Sequence, residues 1–429
     1  MSLNRITPPP VRPMNRPDLA RPERRTMKNG MMLNILNVGD EDVVRVDILI
    51  GAGSWHQTQP LQAMFANRML REGTDSMNTA QIAERLDFYG AYLELSSTVN
   101  YGFITLYSLN KYFEQTWAVV TDILLHPTFP EKELAVVSEV NKQRFLVNST
   151  KVEVIARKNF NRSLFGPRHP LGRYAVESDY DRLSSPTLRD FYRRYYHSGN
   201  STVYVSGKVT PVITACIERT LGAAPWGSGE EIPTLPHCEA QPMNGGRVFV
   251  EKEDALQSSL KMGGFLMDAL HSDFLKTRVL VTILGGYFGS RLMTNIREEK
   301  GYTYGIGAGI ATYPGNGVLV VSTEADNRYV DAIIREVYTE MDRLCNDLVP
   351  QAELDMVKNY MLGEWCRTYE GPFSLSEAWI YVQTAGVDDE YIFRSAEAVK
   401  TVTSEEIRHL AQTYFCKENL IEVVAGKKV

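Results

Sequence analysis

Histidine, the residue that most often binds zinc, is present in this chain but not at a useful spacing. The seven histidines stand at positions 56, 126, 169, 197, 237, 271 and 409, so no two lie within ten residues of each other. A zinc site on a helix needs two ligands about one turn apart, because side chains at i and i+4 converge on one point. We therefore interpret each histidine as a surface or packing residue.

The segment QAMFANRMLREGTD, residues 62–75, is a predicted helix that also lacks a pair of zinc-binding residues. Pro60 precedes it and Gly73 follows its last apolar residues, which is typical of helix starts and ends. The segment contains no His or Cys, and its first acidic residue is Glu72. The residues of this helix do not predict a metal site by themselves.

Length, charge and composition limit the class of protein. The 429 residues favour two to four domains, and 44% hydrophobic with 23% charged residues is typical of soluble globular proteins. The net charge of −6 argues against nucleic acid as the main partner. No run reaches 18 apolar residues, so we expect no membrane span.

Cysteine usage and the N-terminus indicate the compartment. The five cysteines are widely separated and include no C-x-x-C, which favours a reducing compartment. The N-terminal 25 residues have no apolar core of a secretory signal. We therefore expect a cytoplasmic protein.

Alternating strand and helix patterns begin near residue 33. Residues 43–53, VVRVDILIGAG, have the β-branched, apolar pattern of a buried strand and its turn. Residues 79–90 are a predicted amphipathic helix, residues 91–109 two antiparallel strands, and two more helices follow. The pattern predicts an α+β fold, with helices packed on one face of a mainly antiparallel sheet.

The second half of the chain repeats the first. Both halves contain a strand, a polar turn and an amphipathic helix in the same order, from Gly102 and from Gly317. Four residues recur 220 positions later: Pro130, Glu133, Leu134 and Val137 as Pro350, Glu353, Leu354 and Val357. We expect two duplicated domains that face each other as a clamshell.

Composition between these patterns predicts the domain boundaries. Residues 1–32 are rich in Pro and Arg and are predicted to form an extended arm, either a flexible tail or a segment lying across a partner subunit. Residues 223–246 are rich in Gly and Pro and form the predicted linker. The two predicted domains are residues 33–222, with the segment 62–75, and residues 247–429.

Motifs spread over nearly the whole chain after residue 33 carry a family resemblance. GAGSW, MLREGT, LDFYGAYLELSS, HPLGRY and FYRRYYHSGNSTVYVSGKV occur in order, followed by GSRLMTNIREEKGYTYGIGA at residues 289–308. With these motifs in this order, the chain resembles the pitrilysin (insulinase) family of zinc peptidases, the inverzincins, which includes the mitochondrial processing peptidase.

The resemblance places the metal motif of that family, H-x-x-E-H, on the segment 62–75. Met64, Asn67 and Arg68 fall on its three functional positions, and Glu139 falls on that of the third zinc ligand. Met is a poor zinc ligand, Asn does not take a proton from water, and Arg repels a dication. We expect a degenerate site that binds no metal, with an ion pair between Arg68 and Glu139 or with plain core packing in its place.

The resemblance also implies a role for the second half. In the family, an Arg and, seven residues later, a Tyr reach the active site of the first domain, and here they fall on Arg297 and Tyr304. Arg297 would hold the substrate carbonyl, and Tyr304 would donate a hydrogen bond to the oxyanion. The alternative is a surface ion pair for Arg297 and packing on a strand for Tyr304.

The function that the resemblance implies depends on a second subunit. Some members of the family are heterodimers in which one chain carries the zinc motif and the other supplies substrate contacts. We expect this chain to be such a non-catalytic, substrate-binding subunit of a heterodimeric zinc endopeptidase of bacterial type, with zinc held by the partner. An extended peptide would pair with the family's edge strand, here Leu93, Glu94, Leu95 and Ser96. The alternatives are a structural scaffold and a homodimeric peptide-binding protein.

Overall fold

Two β-sheets, one in each half of the chain, organise the structure. The computed structural model describes residues 19–227, 239–243, 245–313 and 315–429. The first sheet contains β1 (Glu23–Thr26), β2 (Met32–Asn37), β3 (Val43–Ile50), β4 (Tyr92–Ser97), β5 (Gly102–Leu109) and β6 (Ser201–Gly207). The second contains β7 (Gly246–Glu251), β8 (Gln257–Leu266), β9 (Thr303–Tyr313), β10 (Asn316–Asp326) and β11 (Ile421–Gly426).

Helices separate these strands along the chain. The first half holds α1 (Gln62–Arg68), α2 (Thr79–Phe88), α3 (Phe113–Leu125), α4 (Glu131–Ser149), α5 (Val152–Phe165), α6 (Glu177–Tyr180), α7 (Ser185–Tyr195) and α8 (Pro211–Arg219). The second half holds α9 (Phe274–Val281), α10 (Val330–Asn346), α11 (Gln351–Thr368), α12 (Pro372–Thr384), α13 (Tyr391–Thr401) and α14 (Ser404–Tyr414). Two π-helical turns, Thr282–Gly286 and Met293–Glu299, lie between α9 and β9.

Apart from β1, which has no counterpart in the second sheet, the two sheets have the same topology, as expected of a duplication. The strand order is β1-β2-β6-β3-β5-β4 in the first and β7-β11-β8-β10-β9 in the second. In each sheet one pair is parallel, β2 with β6 and β7 with β11, and the other pairs are antiparallel. β8 therefore corresponds to β3, α9 to α1, and β9 to β4. The prediction of a duplicated, mainly antiparallel α+β fold is confirmed.

The residues that recur 220 positions apart begin the same helix in each half. Pro130 and Pro350 are the N-caps of α4 and α11, and each accepts the first hydrogen bond of its helix. The donors are the backbone N–H groups of Leu134 and Leu354, and both leucine side chains are buried. The proline suits this position because it needs no N–H donor.

Each sheet also packs against one helix from the other half of the chain. α5 lies on β8 and β11, where Phe160 joins the core of the second sheet. α12 lies on β6, where Trp379 packs with Leu36 and Tyr204 of the first sheet. The sequence analysis did not predict this exchange, because helical periodicity identifies an apolar face but not the surface that covers it.

The first described residues belong to the folded body rather than to an arm. Leu19 packs with the α12 cluster, and the carbonyl of Ala20 accepts a hydrogen bond from the Trp379 indole at 3.0 Å. From Glu23 onward the chain is β1, paired with β2, and the Arg24 guanidinium donates to Asp389 at 2.7 Å. Residues 19–32 of the predicted arm therefore belong to the folded part of the chain, because an Arg-rich segment can also form an edge strand. Residues 1–18 of the arm lie outside the described part.

The described ends of the predicted linker, residues 223–246, are held by the first half. The Trp226 indole donates to the Tyr192 hydroxyl at 3.2 Å, and the backbone N–H of Gln241 donates to the carbonyl of Phe165. Residues 228–238 and 244 of the linker lie outside the described part. Among the helices that are described, none has the length and apolar character of a membrane-crossing segment.

Candidate functional site

The helix on which the metal motif was expected, α1, forms because its apolar side chains fill the core of the first half. Ala63, Phe65 and Ala66 are fully buried there, and Met64 packs partly buried against the same cluster. At the start of α1, the Gln62 side-chain carbonyl accepts a hydrogen bond from the backbone N–H of Thr58 at 3.0 Å. Met64 therefore serves as packing, a use that suits its flexible thioether.

Asn67, at the position of the general base, is part of an interior hydrogen-bond network. Its side chain is 1% exposed, and its Nδ2 donates to the Tyr196 hydroxyl at 3.2 Å and to the Phe103 carbonyl at 3.4 Å. Burial raises the pKa of Tyr196, so this phenol stays protonated. The amide joins α1 to β5 and to the end of α7, and it offers no base to a water molecule.

Arg68, at the position of the second histidine, brings positive charge to the place where a cation would bind. Its Nη1 donates to the Asn141 side-chain carbonyl of α4 at 3.3 Å, while its Nε is buried without a hydrogen-bond partner among the described residues. Burial lowers the pKa of Arg68, and the nearby Arg71 and Arg144 lower it further. A divalent cation placed among these guanidinium groups would be repelled.

The predicted ion pair between Arg68 and Glu139 is wrong. Glu139 is exposed on α4 and accepts a hydrogen bond from Gln143 at 2.7 Å instead. Asn141 lies two positions later, about 200° further around the helix, and is the residue that faces α1. Asn141 follows the buried Leu134 by seven residues, or two helical turns, and this spacing places both on the same face of α4. The sequence analysis did not use this spacing.

The side chains that are present do not fit zinc. The four positions of the family's site hold a thioether, an amide, a guanidinium and an exposed carboxylate that faces away. In the described part of the chain, no group of three or more His, Cys, Asp and Glu residues is placed to hold a metal ion. One carboxylate alone does not complete a tetrahedral site.

β4, the strand expected to bind peptide, is an edge strand of the first sheet. It pairs with β5 on one side only, with Leu93 opposite Leu106 and Leu95 opposite Ile104. Leu93 and Leu95 point toward the core, whereas Glu94 and Ser96 are exposed. Among the described strands none covers the other edge, which leaves backbone donors and acceptors of β4 available to a further strand.

The two residues expected from the second half lie beside its edge strand. Tyr304 is the second residue of β9, and its side chain is 95% exposed. Arg297 is in the π-helical turn just before β9, with its guanidinium 4.5 Å from the centre of the Phe288 ring and 3.8 Å from the carboxylate of Glu298. Both side chains thus stand at the surface of the second half, on a segment fixed by buried neighbours such as Ile296.

Comparison with known proteins identifies the family that shares this arrangement. Two family models match the chain: "Insulinase (Peptidase family M16)" over residues 35–168 and "Peptidase M16 inactive domain" over residues 182–361. The first match contains α1, β4 and Glu139, and the second contains Arg297 and Tyr304. The chain belongs to peptidase family M16, the insulinase or pitrilysin family.

Relatives in this family come from several bacteria. The chain is 24% identical over 349 residues to an uncharacterized zinc protease, YmxG, of Bacillus subtilis, covering 80% of this chain and 83% of the relative. It is 26% identical over 329 residues to an uncharacterized zinc protease of Rickettsia felis, covering 74% and 77%. A Helicobacter pylori relative, 23% identical over 312 residues and covering 71% and 69%, is named a non-peptidase homologue, YmxG.

Two solved bacterial structures share nearly the whole fold. An M16 inactive domain from Pseudomonas fluorescens superposes with a TM-score of 0.84 at 19% identity, covering 95% of this chain and 98% of that one. A protease from Helicobacter pylori superposes with a TM-score of 0.87 at 15% identity, covering 95% and 100%. With its metal motif replaced, the chain is an inactive M16 peptidase homologue.

Proposed function

We propose that this M16 homologue is the non-catalytic, substrate-binding subunit of a heterodimeric zinc endopeptidase. The observation that carries the proposal is the contrast between α1 and the start of β9. At α1 the catalytic positions are used for packing, whereas Tyr304 stands 95% exposed on a rigid strand. A tyrosine held there contributes little packing to this chain and presents its ring and hydroxyl to another molecule.

In this proposal the second half completes the active site of a partner. Arg297 holds the carbonyl of the scissile bond through its guanidinium, which is permanently charged and carries parallel donors. The Phe288 ring below it keeps the guanidinium in place without neutralising its charge, and the contact to Glu298 is long and exposed. The Tyr304 hydroxyl then donates to the oxyanion that develops on that carbonyl.

The peptide itself is proposed to bind in extended form along β4. Its backbone would pair with the open edge, and its side chains would alternate between the apolar positions Leu93 and Leu95 and the polar positions Glu94 and Ser96. Main-chain pairing of this kind is tolerant of sequence. A peptide N-methylated at alternate residues should therefore bind more weakly than its unmodified counterpart.

The proposed partner is an M16 chain that keeps an intact H-x-x-E-H motif and holds the zinc. We expect one zinc per heterodimer and none in this chain alone, because Met64 and Arg68 stand where imidazoles would bind. Elemental analysis of the purified chain and of the reconstituted pair checks this. One tightly held zinc in the chain alone would contradict it.

Cleavage by the reconstituted pair tests the role of the second half. Tyr304→Phe removes one oxyanion donor and should lower turnover about 10²–10³-fold, while Arg297→Ala should lower it at least about tenfold. Both variants should assemble and melt like the unmodified chain, because neither side chain is buried. Tyr112→Phe and Arg335→Ala are matched controls from surfaces elsewhere and should leave turnover unchanged.

The same experiment separates the proposal from its competitors. If both variants assemble and cleave at the unmodified rate, this chain is a scaffold in the complex. If the chain binds peptide as a homodimer and joins no zinc-bearing partner in sedimentation experiments, it is a peptide-binding protein in its own right.

A further inference from the structure

A cavity of about 580 Å³ lies in the second half, away from α1 and β4. It opens to solvent and is bordered by α9, the first π-helical turn, the middle of β9 and the helices from the end of α11 to α13. Its volume is within the range of small-molecule sites, which commonly measure about 300–1,000 Å³. The described side chains around it decide what it can hold.

The cavity wall is partly apolar and partly polar. Phe274, Val281 and Ile392 are almost fully buried there, and the rings of Tyr369 and Tyr381 add aromatic surface. A ligand that fills this space needs an apolar or aromatic body to replace the contacts with water.

Two polar groups at the cavity wall, one buried and one exposed, are placed to bind a ligand. The Tyr391 side chain is 5% exposed, and its hydroxyl makes no hydrogen bond of normal geometry among the described residues, although the Tyr381 hydroxyl and the Arg278 guanidinium lie near it. Arg278 is exposed to solvent at the mouth of the cavity, and no ion pair of the described residues includes its guanidinium. A buried hydroxyl without a partner costs free energy, and a water or a ligand atom in the cavity removes that cost by accepting its hydrogen bond.

The Arg278 guanidinium and the Tyr391 hydroxyl lie close enough to influence each other electrostatically. Burial raises the pKa of Tyr391 and of Tyr369, and the Arg278 guanidinium opposes that shift at both phenols. The Tyr391 phenol therefore stays protonated and is a donor beside a cation. The other charged residue of the described wall, Glu377, already accepts a hydrogen bond from Arg45 at 2.5 Å and does not neutralise Arg278.

We propose that this cavity binds a single carboxylate attached to an apolar or aromatic body, with the carboxylate between Arg278 and Tyr391. One guanidinium and one hydroxyl match the single charge and two oxygens of a carboxylate, whereas a phosphate dianion would leave charge and acceptors unmatched. Both the free C-terminus of a short hydrophobic peptide and a small aromatic acid have this chemistry. Binding requires no partner subunit.

Calorimetry on the full chain tests the site with two pairs of probes. Phenylbutyrate and its primary amide represent a small acid, and acetyl-Phe-Leu with a free or an amidated C-terminus represents a peptide. We expect saturable one-to-one binding of at least one acid and at least about tenfold weaker binding of its amide, because a charge-assisted pair is lost. The probe pair that binds tells which source supplies the carboxylate.

Variants locate the binding in this cavity. Arg278→Gln should lower the affinity for the acid at least about tenfold and leave the affinity for the amide unchanged. Tyr391→Phe should lower the affinity for the acid severalfold. Arg335→Gln, an exposed arginine on α10, is the matched control and should have no effect. Trp365 donates to Ser395 at the cavity wall and packs on Tyr369, so its fluorescence should change on binding and Trp365→Phe should remove the change.

Three results would overturn the proposal. They are no saturable binding of either acid, equal affinity for acid and amide, and unchanged affinity in Arg278→Gln. If Tyr304 variants did not affect cleavage, the proposal for this cavity would still stand, since the two sites share no residue.

Discussion

The two halves of this M16 homologue use corresponding elements in opposite ways. In the first half, α1 and the residues around it form a filled groove, in which Asn67 bonds to Tyr196 and Arg68 bonds to Asn141. In the second half, α9 and β9 border an open cavity, in which the Tyr391 hydroxyl has no partner in the described part of the chain. Duplication placed a helix beside an edge strand twice, and the second copy is bordered by a cavity that the helices from the end of α11 to α13 complete.

The largest expected loss of free energy of unfolding comes from Arg45, which joins the first sheet to the helix α12 beside the cavity. Arg45 on β3 is buried beside Asp47 and donates to Glu377 of α12, which lines the cavity. Arg45→Met leaves the Asp47 carboxylate buried without its cation and should lower the free energy of unfolding by about 3–5 kcal/mol. Denaturant unfolding measures this.

Two further variants check the cause of that loss. Glu377→Gln removes the exposed partner and should cost less than about 1 kcal/mol. The double change Arg45→Met with Asp47→Leu should recover most of the loss, because it removes the unpaired charge. A loss below about 1 kcal/mol for Arg45→Met alone would mean that water reaches Asp47.

An intermediate effect is expected inside the filled groove. Asn67→Leu keeps the branched shape of the side chain but leaves the Tyr196 hydroxyl buried without a partner, and should lower the free energy of unfolding by about 1–3 kcal/mol. A double-mutant cycle with Tyr196→Phe should show the two changes to be non-additive, with the double variant more stable than the sum predicts. Additive losses would show that this hydrogen bond does not stabilise the groove.

The smallest change in the free energy of unfolding is expected for a variant in the cavity. Tyr391→Phe removes a buried hydroxyl that bonds to nothing in the described structure, so unfolding should require the same free energy or up to about 1 kcal/mol more. Thermal melts of this variant beside Asn67→Leu compare the two regions directly. A loss as large as that of Asn67→Leu would mean that the Tyr391 hydroxyl is satisfied in solution, and the contrast between groove and cavity would disappear.

Periodicity and turn residues predicted most of the fold, because they report local physics. The 220-residue repeat predicted the duplication, and the structure shows that its prolines begin α4 and α11, since a proline at the start of a helix acts through its own backbone. The edge position of β4 followed from the family's strand order and is observed. The pairing of Arg68 was predicted wrongly, because choosing between Glu139 and Asn141 requires the rotation of α4 about its own axis.

The sequence by itself determined that this chain folds as a duplicated α+β protein and that α1 lacks zinc ligands, since residue identity and spacing decide both. Only the tertiary structure decided the exchange of α5 and α12 between the sheets, the bond from Arg68 to Asn141, and the cavity around Tyr391. These features join residues tens to hundreds of positions apart. Their energies come from burial and pairing across the fold, which no local pattern along the chain records.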